Sequence, residues 1–291
     1  MKSPFIALLF MVVSLQACYE NIEGCLDVNA TNFSVTADRE CEDCCTYPLL
    51  RLAVQHAYSD IEKDTSYRFN LNEVYTLDSI SFFAITDLRY YLSEIKLIRE
   101  NEDRVDIEEK VDIFVLNGTD TVPDNTQDNF ALINRSNITP SQIGTFRENG
   151  RFVGIEFKFG LSNFDRTIFP QFLERSHPLA FGSDSLMYDL EKESYLVTRF
   201  DLARDTLPIE NDTTTIQILA KDYFQQVELD FDFQVDVGFN TTIALQVDYR
   251  RWLEGVDVKT DLPEEIINKI KANIAETDPS PFEILEVRVA N

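Results

Sequence analysis

Residues Asp87 to Ile98 read DLRYYLSEIKLI. In an extended strand successive side chains point to opposite faces, so Leu88, Tyr90 and Leu92 share one face. Tyr91, Ile95 and Leu97 indicate that the other side is partly buried too. The parity changes near Ser93-Glu94, which suits a β-bulge, one extra residue inserted into a paired strand.

Outward from this run the same period recurs. Leu50, Leu52, Val54 and His56 fall on one face, with Arg51, Ala53 and Gln55 on the other. Arg151 to Leu161 (RFVGIEFKFGL) sets Val153, Ile155, Phe157 and Phe159 against Gly154, Glu156 and Lys158. Val227 to Val237 (VELDFDFQVDV) alternates apolar residues with Glu228, Asp230, Asp232, Gln234 and Asp236. Same-face neighbours lie ~7 Å apart, too far to chelate one hard cation unaided, so this ladder reads as a solvated face. Val111–Leu116, Tyr195–Leu202, Ile243–Tyr249 and Phe282–Val289 are further strands. Pro123 to Asn137 is polar and reads as a loop. Ser162 to Asp189 is a long excursion of the kind that carries binding sites. Pro263 to Ala275 reads as a helix, with proline in the first turn, acids early, lysines late, and Ile266, Ile267, Ile270 and Ile274 on one stripe. The sum predicts an all-β fold: a β-sandwich of antiparallel strands with a long site-bearing loop and one C-terminal helix, preceded by a small disulfide-stapled segment.

The 291 residues carry 51 acids against 26 bases, a net charge of −25. Such a surface repels phosphate backbones and excludes nucleic acid as a partner. With 22 Phe and 11 Tyr the chain can fill a sizeable core and is not disordered.

The N-terminus is an address. Residues 1–17 hold Lys2, an apolar run from Phe5 to Val13, and a close on Leu15-Gln16-Ala17-Cys18. This resembles a bacterial lipobox, which implies a lipoprotein signal peptide over 1–17, lipidation of Cys18, and an exported protein anchored to a membrane of the cell envelope, in the outer membrane or periplasm; the alternative is a plain secretory signal cut near Ala17. Cys25, Cys41, Cys44 and Cys45 remain, an even number in an oxidising compartment, and imply disulfides. A bond between adjacent Cys44 and Cys45 is strained, so each is expected to pair back to Cys25 or Cys41. The segment 18–48 resembles a short module of exported Bacteroidetes proteins with the pattern G-C-x-D-x-x-A-x-N-[YF]…A…D…C. The likeness implies a cap or spacer. Asp27, Asn29, Asn32 and Asp38 supply oxygens suited to Ca²⁺, or simply form turns.

Chemistry concentrates in His177 to Tyr188, HPLAFGSDSLMY. Imidazole, thioether and phenol close in sequence form half of a transition-metal site; equally, His-Pro is an ordinary turn and Met and Tyr are ordinary core residues. His56 and His177 are the chain's two histidines. A lone histidine on an apolar face, as His56 is, reads either as a ligand or as a satisfied core residue. No G-x-S-x-G, P-loop or G-x-G-x-x-G occurs, and the chain is expected not to be an enzyme.

These segments carry a resemblance. Leu52-x-Val54-x-His56, Leu88 to Leu97 (LRYYLSEIKL), Gly154 to Leu161 (GIEFKFGL) and His177-Pro178-Leu179 with Met187-Tyr188 are similar to the patterns F-x-H, L-K-Y-Y-I-S-N-I-x-L, G-I-x-F-x-L-G-V-D and H-P-L…G-M-Y-W-x-W of the MbnP-like family, periplasmic copper-binding proteins associated with methanobactin. The likeness spans residues 49–291. It implies a β-sandwich that binds copper through histidines, here His56 and His177 with Met187. The departures are that Asp189 and Glu191 stand where the family has tryptophans, and that Thr215–Ala220 lacks a family histidine. The reading is an exported lipoprotein that holds copper through two histidines. The alternative is a module of the cell envelope that kept the fold, lost the metal and serves a protein partner.

Overall fold

The computed structural model describes residues 21–60, 65–78, 81–137, 139–162, 164, 167–204 and 213–290. The expected leader, the lipidation site Cys18, and Asn163 of the excursion lie outside the described residues.

In the N-terminal module β1 (Glu23–Gly24) and β2 (Arg39–Glu40) pair in parallel. Two disulfides, Cys25–Cys45 and Cys41–Cys44, staple it, so each of the adjacent cysteines pairs back along the chain. The Arg147 guanidinium lies 3.6 Å over the Tyr47 ring and ties the module to the larger domain.

β3 (Leu49–Asp60) buries Leu50, Leu52, His56 and Tyr58 on one parity. It pairs with β4 (Thr65–Arg68). A short β5 (Tyr75–Thr76) leads to β6 (Phe82–Arg99), the longest strand, which also pairs with β7 (Arg104–Val105). β8 (Lys110–Asn117) and β9 (Asp120–Gln127) form a hairpin of their own. β10 (Ala131–Asn134) runs beside β6, and β11 (Ser141–Thr145) beside β3. β12 (Gly150–Phe159) returns along β6. After the excursion come β13 (Tyr188–Asp189), β14 (Ser194–Arg204), β15 (Thr213–Leu219), β16 (Gln225–Val235) and β17 (Asn240–Asp248). Helices α1 (Tyr249–Trp252) and α2 (Pro263–Ile274) precede β18 (Phe282–Ala290).

The strands form two large sheets. One is built on β6, ordered β13-β14-β6-β12-β16 with β5, β7, β10 and β15 alongside; the other is ordered β11-β3-β17-β18 with β4 beside β3. All pairings within them are antiparallel except β3 with β17. Aromatic rings fill the space between: Phe157 meets Phe282 edge-on at 5.3 Å, and Tyr58 lies 6.1 Å from Phe83. The all-β sandwich expected from the alternation is the observed fold.

The bulge falls where the parity changes. Ser93 sits opposite Lys158 and Lys96 opposite Glu156, three steps on β6 against two on β12. Glu94 takes the strain in the left-handed region, at φ 50°. The acidic face of β16 is exposed, with Asp232 paired to Arg151 at 2.5 Å and Glu228 to Arg104 at 2.9 Å. The expected loop over 123–137 is corrected: Pro123–Gln127 belongs to β9 and Ala131–Asn134 is β10. β9 forms from the polar run DTVPDNTQ because it pairs only with β8, at an edge where Pro123 gives up no bond to a central strand.

At Gly154 of β12 the partner strand β16 leaves no room for a side chain: a Cβ would lie 2.8 Å from the Leu229 carbonyl oxygen. Backbone cannot swing aside as a side chain can. Gly154→Ala is expected to destabilise the domain by ~1–3 kcal/mol, read as a lower urea midpoint with an unchanged denaturant slope.

Candidate metal centre

Neighbouring tyrosines on β6 lead to the two candidate histidines in opposite directions. Tyr90 points between the sheets. Its hydroxyl lies 3.2 Å from the Tyr249 hydroxyl, which lies 2.5 Å from Nδ1 of His56. His56 is 7% exposed, and burial, aided by the charges of Arg135 and Arg68, pushes its imidazole down to about 3. It is therefore neutral. Burial drives the Tyr249 phenol well above its ordinary range, so it stays protonated. Trp252 closes the group, with its ring 5.2 Å from Tyr90 and 5.0 Å from Tyr249. Behind it Arg135 donates from Nε to the Phe69 carbonyl at 3.0 Å, and Phe69 N–H donates to the His56 carbonyl at 2.9 Å.

Tyr91 points to the other face of the same sheet, where the excursion lies across it as a strap. The Tyr91 hydroxyl donates to the Pro178 carbonyl at 3.0 Å, and the Tyr195 hydroxyl to the Leu179 carbonyl at 2.7 Å. Arg89 Nε pairs with Asp184 at 2.6 Å, and Arg89 also contacts Asp87, which Arg199 holds at 2.8 Å. His177 completes the attachment. Leu179 N–H donates to its Nδ1 at 3.1 Å, and its Nε2 lies 2.7 Å from an oxygen of Asp128. An Nδ1 that accepts leaves the proton on Nε2, where it donates to the carboxylate. Both ring nitrogens are in use.

The sheet therefore stands between the two imidazoles. One chain of contacts ends at Tyr90 and the other at Tyr91, and layers on the two sides of a sheet are separated by roughly 10 Å or more. Metal–nitrogen bonds are ~2 Å long, so His56 and His177 as placed do not reach one ion. Met187 is fully buried in the apolar layer under the strap. Tyr188 rests edge-on against Tyr195 at 5.1 Å, its phenol pushed up to about 12 by burial. Asp189 and Glu191, at the places of the family tryptophans, form a turn: the Asp189 carboxylate accepts from Glu191 N–H at 3.0 Å and Lys192 N–H at 2.9 Å. Among the described residues no group of three or more His, Cys, Asp or Glu is arranged to hold a metal ion. The oxygen set of the N-terminal module is likewise engaged in turns. Asp27 accepts from Asn29 N–H at 2.9 Å, Asn32 brackets Cys44 and Thr46, and Asp38 accepts from Ile22 N–H at 3.2 Å.

Sequence reasoning missed the partners. Tyr249 is 193 residues from His56, and nothing local couples them. Asp128 lay in a stretch read as loop. The visible signal was the pair Tyr90-Tyr91, one phenol for each face of the strand.

The sequence model of one family, described as MbnP, matches residues 49–271. Among solved structures, MbnP from Methylosinus trichosporium is similar at 10% identity, covering 83% of this chain and 98% of that chain with a TM-score of 0.37. No curated protein matches.

Two outcomes follow from the site. His177→Ala removes two hydrogen bonds, one to a carboxylate, and is expected to cost ~1–3 kcal/mol and to speed amide exchange over residues 177–188. The neutral His56 makes stability depend on pH. Its folded value lies below the unfolded value of 6.5, so the unfolded chain binds the proton first. Its contribution is complete above about pH 6.5 and falls by ~1.4 kcal/mol per pH unit as pH drops toward about 3. Urea titrations of the parent and of His56→Gln between pH 7 and 4 should diverge in slope, with the parent steeper.

Proposed function

The chain belongs to the MbnP family, and from that premise we propose that it is an exported protein of the cell envelope, lipid-anchored at Cys18, whose MbnP domain acts as a metal-free scaffold for a protein partner. The observation that carries this reading is the use of both ring nitrogens of His177 within the protein. A ligand histidine keeps one nitrogen for the metal and offers the other to an orienting acceptor. Here the first is closed by Leu179 N–H and the second by Asp128. The residues present do not fit the two-histidine copper site that the family likeness implies, and Met187 adds no open position to it.

The domain reading is a signal peptide over 1–17, a Cys-rich module over 18–48 and the MbnP-like domain over 49–291. The protein is read as non-enzymatic, because the sequence carries no G-x-S-x-G, P-loop or G-x-G-x-x-G motif. Among the described residues no helix is long and apolar enough to cross a membrane.

The second reading, copper held at His56, draws on the neutral form of that ring, which is the form that ligates, and on the crevice of about 30 Å³ that it borders with Leu132, Asn134 and Thr139. Titration of the mature chain with Cu(I) and Cu(II) separates the two. The expected result is no stoichiometric site tighter than ~1 μM and identical curves for the parent, His56→Ala and His177→Ala. One copper per chain that disappears in either variant sinks the metal-free reading.

A further inference from the structure

The N-terminal module leaves an unusual number of large apolar side chains in water. Ile22, Leu26, Val28, Phe33 and Val35 are all exposed, Val35 at 83%. They belong to one small knot: Ile22 O accepts from Asp38 and Arg39 N–H, Cys25 bridges Phe33, and Ser34 N–H donates to Cys25 O at 2.8 Å. The module meets the sandwich at Gly238, against which the Val28 and Ala30 carbonyls lie.

We infer that this exposed apolar surface is a membrane contact that lies in the interfacial layer of the bilayer holding the lipid anchor. The inference rests on the reading of Cys18 as lipidated. Asn21 is three residue steps from Cys18, and each step spans at most ~3.6 Å, so the described chain begins within about 11 Å of the anchored cysteine. The headgroup and upper acyl region is ~5–10 Å deep for side chains that lie in it. With so short a tether the module cannot stand clear of the surface, and its apolar side chains then lose contact with water at the interface. The headgroup chemistry follows from charge. Residues 21–48 hold Glu23, Asp27, Asp38, Glu40, Glu42 and Asp43 against Arg39, so anionic headgroups repel the module and zwitterionic phosphatidyl lipids fit it.

The test uses the full lipidated chain in phosphatidylcholine vesicles that carry a diazirine-bearing phospholipid. After irradiation, crosslinked peptides are located by mass spectrometry, and the Cys18 peptide is read for its acyl chains. The expected result is lipid crosslinks within residues 22–35 of the parent. They should fall at least about fivefold in Phe33→Asp/Val35→Asp, since charges are expelled from the interface. Both substituted side chains are exposed, and retention of the two disulfides under non-reducing digestion checks that the variant keeps the module. A lipidated Cys18 with crosslinks absent from 22–35, or unchanged in the variant, overturns the contact and leaves the anchor standing. An unmodified Cys18 overturns the anchor reading and the contact with it.

Discussion

A central strand covered on both faces governs this fold. β6 sends Leu88, Tyr90 and Leu92 inward to the facing sheet and Tyr91 outward under the strap, and all four are buried. Two buried phenols on consecutive residues require two hydrogen-bond partners on opposite sides, because a buried hydroxyl left unpaired costs ~1–3 kcal/mol. Tyr90 finds Tyr249, and through it His56. Tyr91 finds the backbone of the strap at Pro178. The dipeptide thus requires a three-layer arrangement of sheet, sheet and strap. The bulge at Glu94 permits it, since one extra residue changes which face the rest of β6 presents.

The electrostatic design separates inside from outside. A net charge of −25 sits on the surface. Within the sandwich an imidazole is kept neutral, phenols are kept protonated, and the Arg135 guanidinium is hydrogen-bonded to the Phe69 carbonyl. Under the strap the ion pairs are internal, with Arg89 and Arg199 divided among Asp87, Asp184 and Asp201. In that low-dielectric layer an Arg–Asp pair holds the strap only because both partners stay in place; loss of either leaves a charge uncompensated.

The fold was legible in the sequence because period-two alternation depends on burial, and burial is a property of each strand separately. The inward faces of β3, β12 and β16, the bulge at Ser93-Glu94, the solvated acid ladder and helix α2 were all local patterns. The hairpin β8–β9 was not legible, since its second strand is polar and is fixed by pairing. At the candidate site the histidines themselves were visible and their surroundings were not. Tyr249 reaches His56 across 193 residues and Asp128 reaches His177 across 49. Parity did place His56 inward. It could not place His177, because an irregular excursion has no period to read.

The histidines of the family pattern are present, and among the described residues no group of three or more His, Cys, Asp or Glu is arranged to hold a metal ion. Metal sites need two things of a histidine: an open nitrogen and a shared direction with its mates. His56 faces the space between the sheets and serves the Tyr90–Tyr249 chain. His177 faces the strap and fixes its backbone through Leu179 and Asp128. Each has a structural task that accounts for its chemistry. The strap shows the same exchange, since Asp189 and Glu191 build a hydrogen-bonded turn at positions where the family pattern has indoles. Removing the indoles takes aromatic surface from the strap. The half-buried ring of Tyr188 against Tyr195, the Arg89–Asp184 pair and the His177–Asp128 bond hold it instead. On this chain His177 attaches the strap, through Leu179 N–H on one side of its ring and Asp128 on the other.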